Sequence, residues 1–66
     1  MIYMQITDKN SGIVVEKSFF DHNQMYDAKN TAIRLAGYAG YFKFEKNRSG
    51  DLVADNETFK VDIVRV

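Results

Sequence analysis

The sequence predicts a small α+β domain in which one amphipathic helix covers one face of a mostly antiparallel sheet of four or five strands. Three observations carry this expectation. Stretches near both ends alternate apolar and polar residues with the period of a strand, "IYMQIT" at 2–7 and "TFKVDIVRV" at 58–66. Between them, residues 25–36 place apolar side chains at helical spacing. Turn-forming clusters, "DKNSG" at 8–12 and "NRSGD" at 47–51, separate the segments. Sixty-six residues suffice for one domain, residues 1–66, in the order ββαββ or ββαβββ.

In the first strand Ile2, Met4 and Ile6 form one face, and Tyr3, Gln5 and Thr7 the other. The "DKNSG" cluster ends in Gly12, where a left-handed backbone costs little, so a hairpin follows. The returning segment "IVVEKSFF" is rich in β-branched and aromatic residues. Its buried face is ambiguous, because Lys17 falls in line with Ile13, Val15 and Phe19. Alternation from Val14 assigns Val14, Glu16, Ser18 and Phe20 to the side away from the helix.

The helix start is marked three ways: Asp21 as a cap, Gln24 three residues on to reach back, and Phe20 to clasp Met25 across the cap. Met25, Ala28, Ala32, Leu35 and Ala36 then define a buried face widened by Ile33 and Tyr26. Gln24, Asp27, Asn30, Thr31 and Arg34 line the solvent side. Gly37 is expected to end the helix in a left-handed conformation. After it, "YFKFEK" at 41–46 reads as a strand with Phe42 and Phe44 inward, and Tyr41, Lys43 and Glu45 outward. "LVA" at 52–54 is a short returning strand. The last strand turns Phe59, Val61 and Ile63 inward, and Lys60, Asp62, Val64 and Val66 outward. Leu35 and Phe44 are both expected in the core.

Composition narrows the function. With 45% hydrophobic and 14% aromatic residues and no Pro, the chain is too apolar for a disordered tail. It has no Cys and one His, so neither disulfides nor a zinc site can stabilise so small a core. The formal net charge of zero provides no global field for a phosphate polymer. No basic n-region opens the chain and no stretch reaches membrane-spanning length, so a cytoplasmic protein without membrane contact is expected. The sequons Asn47-Arg48-Ser49 and Asn56-Glu57-Thr58 then read as turn chemistry.

No residue set supports catalysis or a cofactor. There is no Cys nucleophile, no locally supported Ser-His pairing and no glycine pattern for a nucleotide. Asp51, Asp55 and Glu57 lack the Asp-x-Asp-x-Asp-Gly spacing of a calcium loop, so a solvated acidic turn is the simpler reading. His22 has no second His or Cys to share a metal.

The run Gly37-Tyr38-Ala39, then Tyr41-Phe42-Lys43-Phe44, resembles the aromatic signature of RNA-recognition motifs, in which alternate rings stack on bases. The resemblance implies single-stranded nucleic-acid binding through Tyr38, Tyr41, Lys43 and Lys60. Gly40 is one residue in excess of that signature, and the chain has neither the second helix nor the companion aromatic strand of the family. The leading expectation is instead a non-catalytic protein-binding module. It would act through the open sheet face, with Tyr3, Val14, Tyr38, Tyr41, Lys43, Lys60 and Val64 as contact residues, or through a sheet edge. In size and architecture the chain resembles small phage and mobile-element proteins that block a host enzyme or defence complex, including some anti-CRISPR proteins. A third expectation is a homodimer that buries Val64 and Val66.

Overall fold

Alternation at the two ends of the chain produces the two central strands of a five-stranded antiparallel sheet. The computed structural model describes residues 1–66. Strands β1 (Ile2–Asp8), β2 (Val14–Phe20), β3 (Glu45–Lys46), β4 (Leu52–Asp55) and β5 (Phe59–Arg65) lie in the order β2-β1-β5-β4-β3. Every neighbouring pair is antiparallel. One helix, α1 (Met25–Ala36), packs on one face, and a short 3-10 turn, Gly37–Ala39, follows it. The order is therefore ββαβββ, and no helix is long and apolar enough to cross a membrane.

The core lies between α1 and the two central strands. Ile2, Met4 and Ile6 on β1 and Val61 and Ile63 on β5 are at most 1% exposed. They meet Ala28, Ala32 and Ala36, a stripe of small residues repeating every four positions, which lets the helix lie close to the sheet. Phe42, Ala54 and Phe59 close the ends, with Phe20, Met25, Phe44 and Leu52 packed half-buried around them. The expectation for Leu35 is corrected: it is 42% exposed. Successive helical residues are rotated by about 100°, so with the alanine stripe facing the sheet, Leu35 and Ile33 fall on its two flanks. Tyr26 points further away and is likewise exposed.

The helix ends differ from expectation in ways the hydrogen bonds explain. The Asp21 N–H donates to Gln24 Oε1 at 2.9 Å, so the reach-back half of the capping box forms. The Asp21 side chain makes no capping bond, and the helix begins at Met25. Gly37 is right-handed, φ −71°, and leads into the 3-10 turn; the residue needing glycine is Gly40, at φ 140°. A Cβ at Gly40 would stand 3.3 Å from Asn56 Cβ.

Asn56 is the reason for that close approach. Its Nδ2 donates to the carbonyls of Ala36 at 3.1 Å and Gly40 at 2.9 Å. Its Oδ1 accepts from the N–H groups of Thr58 at 3.0 Å and Phe59 at 2.8 Å. One side chain thus ties the end of α1 and the following turn to the β4–β5 hairpin. Asn47 likewise accepts from the Ser49 and Asp51 N–H groups, so both sequon asparagines organise turns.

Strand β2 corrects the face assigned from alternation. Its register with β1 shifts between Ile6, opposite Glu16, and Thr7, opposite Val14, leaving Val15 as a bulge. Phe20, Ser18 and Glu16 therefore stand opposite Ile2, Met4 and Ile6 on the helix side, while Phe19 and Lys17 stand opposite Tyr3 and Gln5 on the open side. Only Val14, past the bulge, keeps the open-face position expected for it. Segment 41–44 also departs from a strand: sheet pairing starts at Glu45. Phe42 is nevertheless buried, with its ring 6.0 Å from that of half-buried Phe44. The Lys29 ammonium stands 5.5 Å from the Phe44 ring.

Candidate protein interface

Because one helix covers one face, the other face of the sheet is built from outward side chains of all five strands. One end of this face is an apolar row: Phe19, Tyr3 and Val64 are cross-strand neighbours. The Tyr3 and Phe19 rings lie 5.0 Å apart, and the Tyr3 hydroxyl donates to Gln5 Oε1 at 2.9 Å. Next come Lys17, Gln5, Asp62, Val53 and Glu45, then Val14, Thr7, Lys60 and Asp55. Both rows carry charges of both signs. Lys60 is 4.0 Å from Asp62 and Lys43 is 3.9 Å from Glu45, so the lysines face carboxylates.

The residues expected to bind a partner are thus divided. Tyr3, Val14, Lys60 and Val64 share the open face, and Lys43 lines a shallow concavity on it with Glu45, Asp55 and Lys60. Tyr38 is on the opposite side: its ring packs edge-on to Phe59 at 5.8 Å, where the 3-10 turn carries it. Tyr41, beyond Gly40, is 87% exposed and outside the sheet. Tyr38 therefore does not share a surface with Lys43 and Lys60. No three His, Asp or Glu side chains converge, and Asp55 is held by Lys9 at 3.0 Å.

A second surface is formed by β2 itself. It is an edge strand of seven residues, against two in β3 at the other edge. Its side chains include exposed Val14, Val15 and Phe19. Beside it, on the helix side, α1 leaves a groove of about 370 Å³. Buried Ile6 and Phe59 contribute to its lining, with Leu35 and Tyr38 on the helical side and Asp8 and Glu16 on the strand side. The Asp8 carboxylate is held by the hairpin turn, where Oδ1 accepts from the Asn10 N–H at 2.8 Å and the Ser11 N–H at 3.3 Å. Glu16 Oε2 accepts from the Ser18 hydroxyl at 3.1 Å.

Phe19, Val15, Leu35, Asp8 and Glu16 were not among the expected contacts. For Val15, Glu16 and Phe19 the signal was the contiguous apolar content of "VV" and "FF" around Glu16 and Lys17, which fits neither face of a half-buried strand and does fit an edge; no local pattern marks Asp8 or Leu35. Compared with protein-family models, curated proteins and solved structures, the chain has no match in any of the three.

Proposed function

We propose that the chain is a non-catalytic protein-binding module that takes an extended segment of its partner along β2, with the Phe19–Tyr3–Val64 row as flanking contact. The observation carrying this reading is the edge itself: a seven-residue strand with exposed Val14, Val15 and Phe19, beside a sheet whose other edge is two residues long. An edge strand presents unpaired N–H and C=O groups, and a partner strand satisfies them while its side chains meet those of β2. Proteins that only need to avoid such pairing shorten the edge, interrupt it with Pro, a bulge or an inward-pointing charge, or load it with Lys. Here β2 carries one Lys and no Pro, and its bulge at Val15 and inward Glu16 leave the Lys17–Phe20 half of the edge in regular register with β1. A partner held by its own strand loses that segment for other contacts, which is how a module of this size would inhibit a larger host or defence complex.

The test is affinity capture from native host extract with mass spectrometry, run with and without nuclease and repeated with Val14→Lys and Phe19→Lys. A partner retained after nuclease and lost in both variants supports the proposal. Capture that disappears with nuclease would return the nucleic-acid reading, and capture indifferent to both variants would sink the edge reading.

A further inference from the structure

We infer that the captured segment is basic, and that it lays one Lys or Arg side chain into the groove between β2 and α1. This rests on the edge reading above. In a strand added to β2, alternate side chains project to the helix side, where Glu16 and Ser18 remain partly exposed beside the groove. The groove combines an apolar lining, Ile6, Phe59, Leu35 and Tyr38, with the two carboxylates Asp8 and Glu16 and no cation. Lys and Arg have the matching construction, an aliphatic stem with a charged head.

The carboxylates are available for such a head. The ion pairs of the molecule are Lys9–Asp55, Lys43–Glu45 and Lys60–Asp62, so neither Asp8 nor Glu16 is paired. Each has one oxygen engaged locally, Asp8 Oδ1 and Glu16 Oε2, and its other oxygen makes no hydrogen bond. The concavity on the open face is the contrast: its lining of Lys43, Glu45, Asp55 and Lys60 is balanced within itself.

A second copy of the chain does not fit this site. A twofold axis that pairs β2 antiparallel with itself runs perpendicular to the sheet, so helix-side residues meet helix-side residues. Glu16 would then face Glu16, Ser18 or Phe20 of the other copy and never Lys17, which belongs to the open face. The acidic groove would be left without a counter-charge.

The probes are three acetylated, amidated seven-residue peptides of alternating Thr and Val, identical except for a central Lys, norleucine or Glu. Each is titrated into the isotope-labelled protein at low ionic strength and followed by amide chemical shifts. The Lys peptide is expected to shift the amides of 15–20 together with Leu35 and Tyr38. The norleucine peptide should bind about tenfold more weakly, as expected for one partly desolvated charge pair, and the Glu peptide more weakly still. Glu16→Gln and Asp8→Asn, which keep the local acceptor oxygens, should each weaken the Lys peptide and leave the norleucine peptide unchanged. Equal binding of all three peptides along β2 overturns the basic-segment inference and leaves the edge reading intact. If no peptide shifts the β2 amides, both fall. A dimer whose β2 amides shift with protein concentration alone would favour the second copy and overturn the inference.

Discussion

Removing the Asn56 amide should cost a large share of the stability of this domain. The side chain makes four hydrogen bonds, two donated to the carbonyls of Ala36 and Gly40 and two accepted from the N–H groups of Thr58 and Phe59. At a net contribution of about 1 kcal/mol each, reduced where water can reach the freed groups, Asn56→Ala is expected to cost about 2–4 kcal/mol. A chain of this length has roughly 3–10 kcal/mol in total. With a urea m-value of about 1 kcal/mol/M, the unfolding midpoint should fall by about 2–4 M. Asn56→Asp separates the two halves of the role. The introduced carboxylate can still accept from Thr58 and Phe59, but it sets a negative oxygen against two carbonyl oxygens, so it should also be destabilising at neutral pH. That repulsion raises the folded-state pKa of the new carboxyl above its unfolded value of about 3.9. The variant therefore recovers stability relative to wild type below that pH, and loses it as pH rises through the folded-state value. Urea titrations of the three proteins from pH 3 to 7 measure both effects. An Asn56→Ala midpoint within about 0.5 M of wild type, or Asn56→Asp matching wild type at pH 7, would refute this account of the turn.

Five further substitutions test the packing and the turn after the helix. Ile63→Ala, at a fully buried position on β5, should cost about 2–5 kcal/mol, whereas Leu35→Ala, on the exposed flank of α1, should cost about 1 kcal/mol or less; similar urea midpoints for the two would show that the helix face is wrongly placed. Ala32→Leu forces a branched side chain between α1 and the sheet and should cost at least about 1–3 kcal/mol, read as a lower thermal midpoint; an unchanged midpoint would mean that the alanine stripe is not a tight contact. Gly40→Ala imposes a Cβ at φ 140° against Asn56 and should cost about 1–3 kcal/mol, with a smaller loss for Gly37→Ala, where φ is −71° and the Cβ meets only the Cγ2 of exposed Ile33 at 3.3 Å. Equal losses at the two glycines would contradict the assigned turn.

The elements buried on one face were legible in the sequence, and those at the margins were not. Strands β1 and β5 obey alternation because each has a helix-covered side and an open side, so polarity tracks position. Strand β2 escapes that logic twice: at the edge neither face is fully covered, and the Val15 bulge reverses parity within the strand. The helix is legible from its spacing, yet its buried stripe runs through the alanines and leaves Leu35 on the flank. Hydrophobicity alone favours Leu over Ala for the core, while a close helix–sheet approach favours the smaller residue. The turn after the helix depends on Asn56, sixteen residues beyond Gly40, which no local pattern around Gly37 reports. For the candidate interface, Tyr3, Val14, Lys60 and Val64 followed from alternation. The groove did not, since it forms only when the helix end is set against the edge strand.

The adjacency of β1 and β5 governs how the molecule can assemble. These strands are the first and last in the chain, and their ladder runs from Ile2 opposite Arg65 to Asp8 opposite Phe59. Even the nearest pair is about 50 positions apart in the chain, so closing that loop costs about 3–4 kcal/mol of chain entropy beyond a constant term. The reward arrives only with β5, because Val61 and Ile63 complete the core that Ile2, Met4 and Ile6 begin. The β1–β2 hairpin and α1 therefore have little to hold them before that moment. Folding should be all-or-none and slow for its size, with a transition state dominated by the meeting of the two ends of the chain. In a stopped-flow experiment, a burst-phase signal native-like in β1 and β2 while β5 remains unpaired would contradict this order of events.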